Sequence, residues 1–294
     1  MICTQNRLKR LINSAFTENN HKNEGDTMKK YISFFRLRLV MGLQYRAAAA
    51  AGIVTQFFWG FMEIMMFQAF YEADPSAFPM TREALAAYVW LQQAFLAFFA
   101  AWSFDNDIFG AILSGDIAYE LCRPIHIYNM WFAKNAANRV SRGVLRCMPI
   151  LIVAVFLPDP YGLRGPADTF HFLLFLLTLI LGLMVMVAFS MLIYILACFT
   201  LSSDGLRILF SSAAEFFAGA VIPLPFFPEG MRKVMELLPF AAMQNVTLRV
   251  YSGDLSGMEL WKAVVLQVFW MITLVALGKL LSQRAEKRAV VQGG

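Results

Sequence analysis

Six apolar stretches run through this chain of 294 residues, at 47–70, 84–104, about 138–157, 170–200, 206–222 and 258–281. A helix needs roughly 20 apolar residues to cross a bilayer core of about 30 Å. Hydrocarbon offers no water to backbone N–H and C=O groups, so only helices and closed barrels cross it. The alternating pattern of a barrel strand is absent. The stretches therefore specify an all-α membrane protein with six transmembrane helices. Charged residues are 15% of the chain and hydrophobic residues 59%, whereas a soluble domain carries about 25% charged residues. The fifth stretch is short, and Pro223 and Pro225 stop it.

Basic residues divide by side. The N-terminal region to Arg46, the 105–146 segment, the 201–207 turn and the tail from Lys279 hold 19 of the 25 Lys and Arg residues. The opposite set holds Arg82, Arg164, Arg232, Lys233, Arg249 and Lys262. Positively charged loops stay in the cytosol, so both termini are expected there, as an even span count also requires. The net charge of +5 arises from residues flanking the spans, with no basic patch interleaved with aromatics. Nucleic acid is not an expected partner; membrane lipid is.

The expected organisation is a polar tail over 1–27, an interfacial elbow helix over 28–46, a six-span domain over 47–283 and a cytosolic tail over 284–294. Residues 1–27 lack the apolar core of a signal peptide, and Met28, followed by two lysines, is an alternative start. In 28–46, Lys29, Lys30, Ser33, Arg36 and Gln44 cluster on one third of a helical wheel, which suits a helix lying on the membrane surface. Cys3, Cys122, Cys147 and Cys198 form no CxxC pair and are expected as reduced thiols. His21, His126 and His171 lie far apart and suggest no metal site.

Three segments carry chemistry. The first is the 105–143 connection, expected in the cytosol and long for a bundle, where about 2–8 residues is usual. Ile112, Leu113, Ile117, Leu121, Ile125 and Ile127 give it apolar anchors. Gly115 and Asp116 can begin a short helix that Pro124 ends. Such a segment fits either docking by a partner protein or packing on its own bundle. The second is the outer segment 221–240, broken by Pro223, Pro225, Pro228 and Pro239, with an amphipathic helix expected over 230–241. Apolar but interrupted backbone suits re-entrant or interfacial helices, which need cover from protein or water; a surface loop is the plainer alternative. The third is the pair of carboxylates inside spans, Glu63 and Glu215. Each costs several kcal/mol unless it faces a partner or water, so each marks either a translocation path or a buried hydrogen bond. Gln56, Gln68, Gln92 and Gln93 are candidates for interhelical hydrogen bonds. Asp105 and Asp107 are paired carboxylates with no evident third ligand. No G-x-x-x-x-G-K-[ST], H-E-x-x-H or G-x-S-x-G motif occurs, so no catalytic residue is assigned. Gly182 lacks the second glycine of a G-x-x-x-G motif.

Ile112, Gly115, Ile117, Leu121, Arg123 and Pro124 resemble the I-x-x-G-x-I-x-x-x-L-x-R-P pattern of a subgroup of ABC type-2 permeases, the membrane subunits of ATP-binding-cassette exporters. The resemblance covers roughly 28–283. It implies an elbow helix before six spans, a coupling helix at 112–128 and re-entrant helices after span five. It also implies no cofactor in this chain, with ATP and Mg bound by cytosolic ABC ATPase partners that dock at the coupling helix. A second permease subunit, identical or related, would complete the path for a cargo moving outward. The location it implies is a bacterial plasma (inner) membrane. The competing readings are an ion-coupled secondary transporter using Glu63 or Glu215 as a proton site, a membrane-embedded enzyme, and a non-transporting assembly subunit.

Overall fold

A computed structural model describes residues 28–117, 120, 126–200 and 203–288. Among these the chain is all helical, with no strand. The helices are α1 (28–42), α2 (Arg46–Ala73), α3 (Arg82–Phe99), α4 (Asn106–Ser114), α5 (Ile127–Phe156), α6 (Thr169–Ala197), α7 (Ser203–Phe217), α8 (Glu229–Leu237), α9 (Asn245–Tyr251) and α10 (Gly257–Arg288). Cys147 and Cys198 are free thiols; Cys3 and Cys122 lie outside the described residues.

Local chemistry starts these helices where the sequence changes character. Thr81 caps α3 by accepting the Ala84 N–H at 3.2 Å, and Asp168 caps α6 by accepting the His171 N–H at 2.7 Å. The same contact, with the His171 ring at 2.9 Å, holds the exposed Asp168 carboxyl below its usual range. α6 is apolar on every side, as a helix enclosed by others should be. It packs against α3, α4, α5, α7, α9 and α10. Val185, Met186, Val187, Ala188, Met191 and Tyr194 are sealed from solvent within it. α3 and α5 form the other close pair, and α2 lies across both. Gly143 makes that pairing possible, since an added Cβ would meet the Phe98 ring. Gly182 does the same for α6 and the turn before α9: its Cβ position is filled by the Met243 carbonyl oxygen. Gly182 thus serves close packing within the chain without any G-x-x-x-G partner.

α2, α6 and α10 are long and apolar enough to cross a membrane by length and composition. Phe58, Met62 and Met65 on α2 and Val265, Phe269 and Ile272 on α10 are exposed apolar side chains, a surface suited to lipid. The other three expected spans depart from the simple pattern. α3 has 18 residues and α7 only 15. α5 has 30 residues and begins at Ile127, well before the expected 138. Its first half holds Lys134, Asn135, Asn138 and Arg139, polar enough to hide it from a hydropathy reading. The 105–143 connection is accordingly mostly helix: α4 followed by the start of α5. The elbow helix ends at 42 rather than 46. Its Tyr31, Phe34 and Phe35 face the bundle, while Ile32, Leu37 and Val40 point away from it.

The two ends of the bundle differ. At one end the His126 N–H donates to the Tyr31 hydroxyl at 3.1 Å, and Tyr128 fills the space over Gly278. This end therefore gathers α1, the α4–α5 connection and the last turns of α10. At the other, the Trp90 indole N–H donates to the Tyr161 carbonyl at 2.7 Å and the Tyr251 hydroxyl donates to the Arg164 carbonyl at 3.0 Å.

The Gly182 contact predicts a clear asymmetry between glycines. Gly182→Leu should destabilise the bundle by about 1–3 kcal/mol through overpacking against backbone, lowering the thermal midpoint measured in detergent. Gly110→Ala meets open space and should leave the midpoint unchanged or raise it.

Candidate functional site

The 105–143 connection follows α3, and the expected coupling segment 112–128 begins inside α4. Asp105 accepts the Asp107 N–H at 3.0 Å and so caps α4. α4 runs nine residues and stops at Gly115, whose φ of +81° lies in the left-handed region that favours glycine at a helix end. Nothing crowds the Gly115 Cβ position, so its backbone conformation is what calls for glycine. Ile112 and Ile117 pack on the core while Leu113 is exposed. Asp116 is exposed and accepts from the Ser114 hydroxyl at 2.7 Å. Glu120 accepts from the Trp131 indole N–H at 2.6 Å, tying the segment back to α5. Leu121, Arg123 and Pro124 lie outside the described residues.

Behind α4 sits a polar cluster that sequence reading missed. Lys134 on α5 bridges Asp105 at 3.0 Å and Asp107 at 3.1 Å. Asn138 donates to Asp105 at 2.9 Å, and the Asp105 N–H donates to the Tyr194 hydroxyl of α6 at 2.7 Å. The two aspartates are therefore not an incomplete ligand set; Lys134 is their partner. Next to them, the buried Arg139 uses all five of its N–H donors. These reach the carbonyls of Phe98, Ala100 and Ser103, the Ser190 hydroxyl and the Asn135 side chain, at 2.9–3.1 Å. Arg207 from α7 completes the cluster, donating to Asn106 at 3.1 Å and lying 4.8 Å from the Phe109 ring centre. α4 and its cap are thus connected to α5, α6 and α7 by polar bonds. A signal for this was present: Lys134, Asn138, Arg142 and Arg146 recur every four residues, one polar stripe along α5.

Glu63 and Glu215, the two carboxylates expected inside spans, lie along one face of α3. Glu63 accepts from the Gln92 amide at 3.4 Å and from the Gln93 amide at 3.2 Å. Gln92 also donates to the Ala220 carbonyl at 2.8 Å, and Gln56 donates to the Gln93 carbonyl at 3.0 Å. Three of the four glutamines therefore join helices. Gln68 instead bonds Glu72 of its own helix at 2.8 Å. Glu215 on α7 borders a small gap lined by Leu96 and Phe99. Gln92, Leu96 and Phe99 share one helical stripe, so Glu63 and Glu215 are served by positions roughly 6–10 Å apart along α3. Among the described residues Glu215 has no hydrogen-bond or ionic partner for its side chain.

The proline-rich segment 221–240 is compact. Pro223 and Pro225 are buried, Pro228 precedes α8 as its cap, and Pro239 follows it. α8 spans Glu229–Leu237, close to the expected helix over 230–241. Lys233 at 2.6 Å holds the exposed Glu229 carboxyl below its usual range. Arg249 on α9 pairs with Glu236 at 2.7 Å and Asp254 at 2.5 Å, stapling α9 to α8 and to the turn before α10.

The family profile described as ABC-2 family transporter protein matches residues 57–293. The chain belongs to the ABC-2 transporter family. Members of this family are membrane transport subunits and normally work with ATPase subunits. No curated protein was found to match the chain. The matched region of this ABC-2 transporter contains α4, Gly115, both carboxylates and the whole proline-rich segment 221–240; it starts after α1.

The polar cluster of this ABC-2 transporter yields a double-mutant test. Lys134→Met leaves the nearly buried Asp105 carboxylate without its cation and should cost about 3 kcal/mol. Adding Asp105→Asn removes the orphaned charge and should recover most of that loss, read from thermal midpoints in detergent.

Proposed function

We infer that this ABC-2 transporter is the permease subunit of an ATP-driven exporter of a bacterial inner membrane. Its cargo is amphipathic: a drug, peptide, lipid or glycan. Cytosolic ATPase subunits hold ATP and Mg and close on them. Their motion enters this chain at α4, Gly115, Asp116 and Ile117, with Leu121, Arg123 and Pro124 completing the docking segment. A second permease subunit supplies the other wall of the path.

The observation that carries this reading is the attachment of α4. A short helix at one end of the bundle is joined through Asp105, Lys134, Tyr194 and Arg207 to three other helices. A push on such a helix moves them together, which is what an external ATPase requires. Six crossings follow if α3, α5 and α7 cross beside α2, α6 and α10. An even number keeps both termini on one side, and the distribution of Lys and Arg makes that side cytosolic. α3 at 18 residues spans roughly 27 Å, enough for a thin or locally adapted core. Glu63 and Glu215, along one stripe of α3, would line the path, and the buried prolines of the outer segment would close its exit.

Gly115→Pro tests the coupling element, because proline fixes φ near −65° where the turn holds +81°. The variant should insert normally and lose transport while the ATPase still hydrolyses ATP. Normal transport by this variant would remove α4 from the mechanism. Glu215→Gln should reduce transport several-fold at unchanged ATP hydrolysis, measured in proteoliposomes holding the full complex. Transport that persists without any ATPase, driven by a proton gradient, would favour the ion-coupled alternative, with Glu63 and Glu215 as its titrating groups.

A further inference from the structure

A cleft of about 600 Å³ opens between α1, α2, α3 and α5 at the end of the bundle that carries α1 and the last turns of α10. Its volume suits a bound small molecule. Arg38 of α1 and Arg142 and Arg146 of α5 reach into it. Arg142 and Arg146 are one helical turn apart, about 6 Å along the axis, so Arg146 lies deeper in the bundle than Arg142. Like charges at this spacing destabilise a helix unless a counterion is present.

Among the described residues none of the three arginines has a carboxylate partner. Arg38 lies 5.3 Å from the Phe34 ring centre. Arg142 donates to the Ser103 hydroxyl at 2.8 Å. The Nε of Arg146 is shielded and makes no hydrogen bond. Asp105 and Asp107 also border the cleft, but Lys134 holds both and Asn138 holds Asp105. The free charge of the cleft is therefore positive. Gly52 is part of its construction: the Arg146 guanidinium occupies the place of the missing Cβ, which lets that side chain lie flat along α2.

Two further wall residues set the depth. Tyr45 and Trp102 line the cleft and are largely exposed. Tyr and Trp concentrate at the level of lipid headgroups. α1 turns Ile32, Leu37 and Val40 away from the bundle, the arrangement of a helix lying on a membrane surface. Guanidinium groups bind phosphate oxygens two at a time and are less strongly hydrated than ammonium groups. We propose that Arg38, Arg142 and Arg146 form a binding site for a phosphate ester, the headgroup of an anionic phospholipid drawn from the adjoining leaflet. The acyl chains leave past Tyr45 and Trp102, and the phosphate neutralises three arginines that the protein itself leaves unpaired. The site requires no ATPase partner and no cargo.

Calorimetric titration of the purified full chain in detergent tests it, using short-chain phosphatidylglycerol, phosphatidylcholine of the same chain length, glycerol phosphate and inorganic phosphate. Phosphatidylglycerol should bind at least tenfold more tightly than phosphatidylcholine. The Arg38→Gln/Arg142→Gln variant, which leaves the packing of Arg146 on Gly52 intact, should abolish that difference. Arg36→Gln, on the exposed side of α1 and outside the cleft, should stay within twofold of the unaltered protein. Equal binding of the two lipids would overturn the proposal, as would an Arg36→Gln loss as large as that of the double variant. Glycerol phosphate or inorganic phosphate binding as tightly as phosphatidylglycerol would overturn the lipid assignment.

Discussion

The guanidinium of Arg139 holds the architecture together. α3 ends inside the bundle, and the last carbonyls of any helix have no partner of their own. In a low-dielectric interior an unsatisfied carbonyl is expensive, and no water is at hand to relieve it. Arg139 answers with a complete set of donors: it bonds the Phe98, Ala100 and Ser103 carbonyls from α5 and reaches Ser190 on α6. A cation at a helix C-terminus also sits at the negative end of that helix's dipole. The contact fixes α3, α5 and α6 in register, and it needs no carboxylate to do so.

The position of α4 follows from that register. Once α3 ends at Arg139, the chain turns through 100–105 and delivers Asp105 to Lys134, Asn138 and Tyr194. Asp105 then does two jobs, capping α4 with its side chain and tying the start of α4 to α5 and α6. Gly115 turns the chain at the far end of α4, and Glu120 brings it back to Trp131. The helix is therefore held firmly at its root, while Leu113 and Asp116 remain exposed at its tip. The opposite end of the bundle uses the same chemistry: Arg249, between Glu236 and Asp254, fastens the short helices that follow the proline-rich turn.

Much of this was legible in the chain itself. Apolar runs located α2 and α6 to within three residues and the start of α10 to within one, because lipid exposure acts on each residue separately. Pro228 marked a helix boundary through a backbone constraint that belongs to that residue alone, whereas Gly115, expected to begin a short helix, closes α4. The start of α5 was not legible. Lys134, Asn135 and Arg139 read as loop residues by hydropathy, yet each is buried against a partner. The roles of the glutamines divided in the same way. Gln92 and Gln93 serve Glu63 across helices, while Gln68 turns back on its own helix, and nothing in their composition separates the two cases.

What the sequence determined alone is therefore the membrane class, the unequal sharing of basic residues between the two sets of connecting segments and the places where helices must stop. These depend on transfer free energies and on φ restrictions, which are properties of a residue and its immediate neighbours. Tertiary structure decided which charge meets which. Lys134 finds Asp105 across 29 positions and Arg139 finds Ser190 across 51. It also decided that Glu63 and Glu215 lie along one stripe of α3, and that Arg38, Arg142 and Arg146 share a cleft. Pairings at such separations are set by helix register and by glycines that let backbones approach, and neither is encoded in the periodicity of any single segment.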